Sequence, residues 1–132
     1  MNVFVDTSAF LAILDADDNS HLKAKEVWNK IISAGDNLFC SNYILVETFA
    51  LVQHRLGIKA ARVLEDDILP IVNIEWIDEA FHKAGVSAFL AASRRRLSLV
   101  DCVSFETMRH LGLKTAFTFD PHFHEYGFEC IP

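Results

Sequence analysis

Cysteine is scarce in this chain, and its few cysteines follow no paired spacing. Cys40, Cys102 and Cys130 make an odd count of three, and none belongs to a CxxC pair. Such spacing does not suggest a disulfide framework or a cysteine-based zinc site. We therefore predict buried free thiols, which suit a reducing cytosol.

Long apolar runs are also absent. No uncharged stretch approaches the roughly 18 residues expected of a membrane span. Residues 1–6, with the sequence MNVFVD, lack both the basic region and the long apolar run of a signal peptide. The sequence therefore predicts a cytoplasmic protein with no membrane partner.

Positive charge is in short supply. The chain has 12 lysines and arginines against 18 acidic residues, which gives a formal net charge of −6. This balance argues against binding nucleic acid through a broad basic surface. It leaves open an enzyme whose acidic pocket reaches phosphate groups through bound cations, so the positions of the acids become decisive.

Short apolar strands alternate with amphipathic helices along the 132 residues, of which 52% are hydrophobic. The length predicts one domain spanning residues 1–132. The alternation predicts an α/β fold with a parallel sheet and helices on both faces. Strands are predicted at 3–5, 38–40, 71–74, 115–119 and 128–131, and helices at 8–14, 21–33, from 41 or 42 to about 57, and at 58–68, 78–92 and 100–111.

Four acidic residues occupy positions that a parallel sheet would bring to one edge. Asp6 follows the first predicted strand and Asp120 follows a late one. Glu47 lies in the second turn of the helix that leaves the second strand, and Asp101 opens a helix. Functional groups of open parallel sheets gather beyond the carboxyl ends of the strands. The four carboxylates are therefore predicted to meet at one rim.

Each acid also has a simpler interpretation. Asp6 and Asp101 could cap the helices that begin beside them, and Asp120 followed by Pro121 is typical of a helix start. Glu47 lies too far inside its helix to cap it, and its four neighbours on the same face are apolar or aromatic. A salt bridge to an arginine is the simpler interpretation of Glu47. The combination of four acids tells more than any one of them.

Several carboxylates at one site repel one another and resist ionisation, and a divalent cation removes that conflict. Oxygen ligands without paired cysteine or histidine favour Mg²⁺ or Mn²⁺ over zinc. Such a site can bridge phosphate oxygens, activate a water molecule and stabilise the leaving oxygen. The acids therefore indicate phosphodiester hydrolysis.

Other polar residues near the predicted rim are given simpler roles. His122 and His124 are predicted to be surface loop residues, although a histidine pair near acids also suits a metal site. Glu106 lies five positions after Asp101 and thus on another side of the helix. We predict that Glu106 faces solvent or pairs with Arg109 or His110.

Three segments of the chain resemble the PIN domain, and in particular VapC-type toxin ribonucleases of type II toxin–antitoxin systems. They are VFVDTSAFLAILD at the start, SNYILVETFALV in the middle, and LSLVDCVSFETMRHLGLKTAFTFDPHF near the end. The Asp-Thr-Ser start is a weak motif alone, and the late segment is much more specific. The likeness covers nearly the whole chain.

The resemblance implies an α/β/α sandwich whose acidic cluster binds Mg²⁺ or Mn²⁺ and cleaves RNA. Asp6 and Asp101 match the main metal ligands of the family. Glu47 and Asp120 match acids that complete the cluster or hold a second metal. Three hydroxyl residues match positions that orient water or a carboxylate: Thr7, Ser8 and Thr118.

The resemblance also implies partners. RNA is the substrate, and its phosphates could contact Arg94, Arg95 and Arg96, which otherwise belong to a solvated loop. A cognate antitoxin protein and a homodimer are expected from the habit of the family. Six apolar residues could serve these contacts, although core packing is the expected role of most: Phe10, Leu11, Leu14, Val27, Trp28 and Ile31.

Three rival functions remain. A phosphoryl-accepting signalling domain needs an acidic pair after the first strand and an acceptor aspartate after the third, which Glu75 and Asp78 match poorly. A haloacid-dehalogenase-like phosphatase needs Asp-x-Asp where this chain has Asp6-Thr7-Ser8. A PIN-like binding module without turnover would not need four acids.

Overall fold

A five-stranded parallel sheet forms the centre of the structure, a computed structural model that describes all of residues 1–132. The strands are β1 (Asn2–Val5), β2 (Asn37–Ser41), β3 (Val72–Glu75), β4 (Thr115–Phe117) and β5 (Glu129–Ile131). They lie side by side in the order β3-β2-β1-β4-β5, and every pairing is parallel. The predicted parallel sheet is confirmed, with strand ends shifted by one or two residues.

Helices cover both faces of this sheet. Val3, Phe4 and Val5 in β1 are all fully buried, and consecutive strand residues point to opposite faces, so neither face is open to water. The predicted α/β/α sandwich is therefore confirmed. The helices are α1 (Thr7–Leu14), α2 (His21–Ala34), α3 (Asn42–Leu56), α4 (Ile58–Val63), α5 (Glu79–Ala92), α6 (Leu99–Leu111) and α7 (His122–Glu125). None of them is long and apolar enough to cross a membrane.

The sheet order excludes one rival function. Strands β2 and β3 are added on one side of β1, and β4 and β5 are added on its other side. A signalling domain of the flavodoxin-like type has the order 2-1-3-4-5, in which the third strand is internal. Here β3 is an edge strand, so Glu75 and Asp78 at its end are separated from Asp6 by β2.

Residues 58–68 do not form the single helix predicted for them. Helix α4 ends at Val63, a π-helical turn spans Leu64–Ile68, and a 3-10 turn spans Leu69–Ile71. Pro70 lacks a backbone N–H and cannot continue an α-helix. Leu64 and Ile68, the first and last residues of the π-helical turn, are both buried.

The sequence predicts an apolar stripe on α2 formed by Leu22, Val27, Ile31 and Ile32, and the structure confirms only part of it. Leu22 is 81% exposed and Ile32 is 46% exposed, so both predicted members face solvent. Ala24 and Ile31 are buried, and Val27 and Trp28 pack partly against the core. The spacing of these four residues is the regular helical one, and the small Ala24 is the member that the sequence interpretation overlooked.

The other apolar candidates follow the expected role. Phe10 and Leu11 lie in the buried core, as does Ile31 of α2, and Leu14 packs partly against it. Core packing is thus confirmed for these three buried residues. Leu14, Val27 and Trp28 keep part of their surface exposed.

Gly85 allows α5 and α6 to pack closely. A Cβ atom at this position would lie 2.5 Å from Cγ2 of Val103, which is fully buried in α6. A distance that short requires one helix or the valine side chain to move. The glycine that weakens α5 as an isolated helix is therefore explained by the contact between the two helices.

Gly85→Ala is expected to destabilise the protein by about 1–3 kcal/mol, because the added methyl group overpacks this contact. In a Val103→Ala background the same substitution should instead stabilise by up to about 1 kcal/mol, since alanine is the better helix former. Denaturant unfolding of the four variants measures both effects. An equal effect of Gly85→Ala in both backgrounds would show that the Val103 contact is not the cause.

Candidate functional site

The predicted acids lie at the carboxyl edge of the sheet. They surround β1, the strand at which the order of strand addition switches from one side of the sheet to the other. Asp6 follows β1 directly, and its backbone N–H donates to the carbonyl of Phe117 in β4 (3.0 Å). Asp120 follows β4 after two further residues. Asp101 lies in the first turn of α6 and Glu47 in the second turn of α3. Crevices at such switch points are the usual ligand sites of open α/β sheets.

Asp6 is fixed by two hydroxyl groups. Its Oδ2 accepts hydrogen bonds from Oγ of Ser8 (2.7 Å) and Oγ1 of Thr118 (3.0 Å), and from the Ser8 N–H (3.4 Å). The hydroxyls in turn accept the backbone N–H groups of Phe119 and Asp120 (2.9 and 3.0 Å). Each hydroxyl therefore gives its one proton to Asp6. Asp6 also caps α1, so its capping role and its place in the cluster coexist.

Asp101 is held by a capping box and is not itself the helix cap. Ser98 is the N-cap of α6, and its Oγ accepts the N–H of Asp101 (3.0 Å). Oδ2 of Asp101 accepts the N–H of Ser98 in return (3.1 Å). Ser98 anchors Asp101 and was missed by the sequence interpretation, although the spacing Ser-x-x-Asp is a recognised signal for this motif.

Asp120 is held by the first turn of α7. Its Oδ1 accepts the backbone N–H of His122 (2.9 Å), but the N-cap of α7 is Pro121 and not Asp120, so the expected capping role is wrong. In all three aspartates the protein therefore donates to one carboxylate oxygen only: Oδ2 of Asp6 and Asp101, and Oδ1 of Asp120. The second oxygen of each has no donor from the chain. A carboxylate anchored at one oxygen is well suited to present the other to a cation.

Burial and mutual repulsion raise the pKa values of these carboxyls. Burial raises the pKa of Asp6 to about 6; the Ser8 and Thr118 hydroxyls oppose this rise, and the charges of Asp101 and Asp120 add to it. Burial also raises the pKa of Asp101, which its hydrogen bonds to Ser98 partly offset. The metal-free site therefore resists full ionisation near neutral pH.

Glu47 belongs to the same electrostatic cluster. Burial raises its pKa, the Thr7 side chain lowers it, and the charges of Asp101 and Asp120 raise it further. Oγ1 of Thr7 also accepts a hydrogen bond from Thr48 (3.1 Å), which links α1 to α3 beneath Glu47. Glu47 forms no salt bridge, so the simpler interpretation of a pair with arginine is wrong.

His122 is not the surface loop residue that the sequence interpretation made it. It begins helix α7, its side chain is only 15% exposed, and Nδ1 lies 2.9 Å from Oδ1 of Asp120. Single atoms of Asp101, Asp120 and His122 lie within 4.8 Å of one another, close enough to share a metal ion. His124 is exposed, as predicted. The prediction failed for His122 because the short helix after Pro121 turns its ring towards Asp120.

Of the three consecutive arginines 94–96, one forms an ion pair within the protein. Arg94 pairs with Glu125 of α7 at 3.0 Å, whereas Arg95 and Arg96 lie exposed between α5 and α6. Contact of these arginines with RNA stays a prediction. Glu106 pairs with Arg109 at 3.3 Å and so takes no part in the acidic cluster, as expected.

Ser98→Ala is expected to destabilise the protein by about 1 kcal/mol through loss of the cap. It should also lower metal affinity roughly tenfold, because Asp101 loses the group that holds it. Ser20→Ala is the matched control, since Ser20 is the N-cap of α2 but its side chain makes no capping hydrogen bond. Thermal unfolding and metal titration of both variants test this. Equal effects of the two substitutions would contradict the role of Ser98.

The donor set fits a divalent cation. Three anchored aspartates and one glutamate offer carboxylate oxygens, and oxygen ligands are those that Mg²⁺ and Mn²⁺ prefer. The protein supplies no lysine or arginine to neutralise these acids: its four side-chain ion pairs with such cations involve other residues. A cluster of this kind at a strand edge can hold a metal against a phosphate group.

The fold is that of a known class. A family model described as "PIN domain" matches residues 3–129. Over 127 residues the chain is 32% identical to the 23S rRNA-specific endonuclease VapC20 of Mycobacterium tuberculosis, covering 96% of this chain and 95% of that protein. The chain therefore belongs to the PIN domain family, and the resemblance to VapC-type proteins is confirmed.

Two further comparisons agree with this placement. A VapC ribonuclease of Aquifex aeolicus is 23% identical over 131 residues, covering 96% of this chain and 93% of that protein. The crystal structure of Mycobacterium tuberculosis VapC20, described as a sarcin–ricin loop cleaving toxin, superposes with a TM-score of 0.86 at 31% identity. It covers 98% of this chain and 99% of that one.

Proposed function

We propose that this protein is a Mg²⁺- or Mn²⁺-dependent endoribonuclease and the toxin of a toxin–antitoxin pair. One observation carries the proposal: Asp6, Asp101 and Asp120, from three separate segments, each have one oxygen anchored by the chain and one without a donor. The kinship with relatives described as ribonucleases supports RNA as the substrate.

Residues of the chain would bind the metal and fix the orientation of its ligands. Asp6, Glu47, Asp101 and Asp120 would hold the metal, while Ser8, Thr118 and Ser98 fix the aspartates at their anchored oxygens. When bound, a divalent cation supplies an activated water and neutralises charge on the phosphate. Burial of Asp6 keeps bulk water from its carboxylate and strengthens its electrostatic interactions.

The partners follow from the same kinship. Arg95 and Arg96, both exposed, would hold RNA phosphates. The partly exposed apolar surface of Leu14, Val27 and Trp28 would serve a cognate antitoxin or a second copy of the chain. As a single nuclease domain acting on cellular RNA, the protein would work in the cytoplasm.

Incubation of the purified protein with RNA tests the proposal. Sarcin–ricin loop RNA is the first substrate to try, because the relative of known structure is described as cleaving it. Total ribosomal RNA is the second. Cleavage with Mn²⁺ or Mg²⁺ and none with EDTA is the expected result. Binding of RNA or of a protein partner without cleavage of either substrate would favour the non-catalytic PIN-like module instead.

A further inference from the structure

His122 presents a buried ring nitrogen to the acidic cluster without a hydrogen bond. Nδ1 lies 2.9 Å from Oδ1 of Asp120 and 3.9 Å from Oδ2 of Asp101. The atom has almost no contact with solvent, yet it makes no hydrogen bond, because its direction towards Asp120 is unsuitable. Oδ1 of Asp120 already accepts the backbone N–H of the same histidine. An unpaired buried nitrogen is costly, so it calls for a partner.

The position of this histidine is well defined. Phe123, the next residue of α7, is fully buried and its ring lies 5.0 Å from that of Phe105. Glu125 at the end of the helix pairs with Arg94. The short helix is thus held at two residues that follow His122. The packing of Phe123 and the ion pair of Glu125 keep the His122 ring beside the carboxylates.

Neither neutral form of the ring suits this place. With the proton on Nε2, the Nδ1 lone pair faces two carboxylates, which repel it. With a proton on Nδ1, in the neutral or the doubly protonated ring, the N–H is poorly aligned with Asp120. A cation shared with Asp101 and Asp120 would give the lone pair a partner and remove the repulsion.

We propose that His122 is a direct ligand of the catalytic metal, together with Asp101 and Asp120. This inference rests on the proposed metal-dependent function. It changes the chemistry of the site, because the ligands become a mixture of oxygen and imidazole nitrogen. Imidazole suits transition metals, whereas Mg²⁺ takes oxygen ligands. The site should therefore favour Mn²⁺ over Mg²⁺ through His122.

Pulsed electron paramagnetic resonance of bound Mn²⁺ tests the proposal, since a coordinated imidazole couples its nitrogen nucleus to the metal. The parent is expected to show this coupling, and labelling the histidines with ¹⁵N should replace the ¹⁴N signal by that of ¹⁵N. His122→Phe should abolish the coupling and lower Mn²⁺ affinity roughly tenfold or more, with a much smaller loss for Mg²⁺. The matched control is His124→Phe, which alters an exposed histidine two residues away and should preserve both.

Two results would overturn the proposal. Mn²⁺ bound without nitrogen coupling would leave His122 as a neighbour of Asp120 only, while the metal-dependent function stands. A parent that binds neither metal would overturn the proposed function and this inference together. Where His122→Phe does not fold, absence of the coupling in the parent still overturns the proposal, and coupling retained in His124→Phe excludes the neighbouring histidine as its source.

Discussion

Asp6→Asn and Asp101→Asn are each expected to lower metal-dependent RNA cleavage by roughly 100-fold or more with the fold retained. Removing a group that merely orients a ligand costs 10–100-fold in many metal sites, and losing a ligand's charge should cost more. Asparagine keeps one acceptor oxygen. At position 6 that oxygen can still accept from Ser8 and Thr118, and asparagine caps helices as well as aspartate does.

Asp78→Asn is the matched control for this experiment. Asp78 is the N-cap of α5, and its Oδ1 accepts the N–H of Phe81 (2.9 Å), so the substitution makes the same chemical change at another helix start. Its cleavage rate should equal that of the parent. Single-turnover cleavage with saturating Mn²⁺, and circular dichroism of each variant, are the measurements. An Asp6→Asn protein as active as the parent would remove Asp6 from the site.

The second large effect concerns stability without metal. The pKa of Asp6 is about 6 in the folded protein, against ~4 for an unfolded chain. The folded state thus holds this proton more tightly. Its contribution to stability is complete below pH ~4 and is lost as the pH rises through about 6. The loss amounts to about 2–3 kcal/mol at pH 8, and the raised pKa values of Glu47 and Asp101 act in the same direction.

Asp6→Asn should therefore stabilise the metal-free protein at pH 8, with a melting temperature roughly 10 °C above that of the parent. The advantage should shrink towards pH 4.5. A divalent metal at about 1,000 times Kd should reverse the order, because it stabilises the parent by about 4.1 kcal/mol. Melting curves in EDTA and in Mn²⁺ across this pH range give the test. A parallel pH dependence of parent and variant in EDTA would show that another group causes the slope.

The same melting curves test whether Glu47 contributes to metal binding. If its carboxylate helps to hold the metal, Glu47→Gln should weaken the rise in melting temperature that Mg²⁺ or Mn²⁺ produces. The metal-free protein should change less than with Asp6→Asn, since Glu47 is only half-buried. A variant that responds to metal as the parent does would require another role for this residue.

The sheet and the four acids were predictable because strand ends, apolar runs and acid positions are local features of the sequence. A buried strand is specified by the apolar run Val3-Phe4-Val5, and the acid at its carboxyl end is Asp6. The details that failed depend on tertiary context. The π-turn at Leu64–Ile68 arises where Pro70 ends a helix whose buried residues must still face the core.

The part of His122 in the site was not predictable for a related reason. Four residues of helix after Pro121 are too short to give a periodic pattern, and they turn the imidazole towards Asp120 instead of solvent. Ser98 was different, since the Ser-x-x-Asp spacing was present in the sequence and only its partner groups were overlooked. Local motifs reveal anchoring residues, whereas contacts between distant segments require the fold.

The order of the strands governs when a growing chain acquires its activity. Asp6 and Glu47 are made early, but Asp120 reaches them only when β4 pairs with β1, and β5 then closes the edge of β4. A partial chain that ends before β4 lacks Asp120 and holds only three of the four acids. The four acids can therefore be brought together only late in synthesis, after residue 120 has been added and β4 has paired with β1.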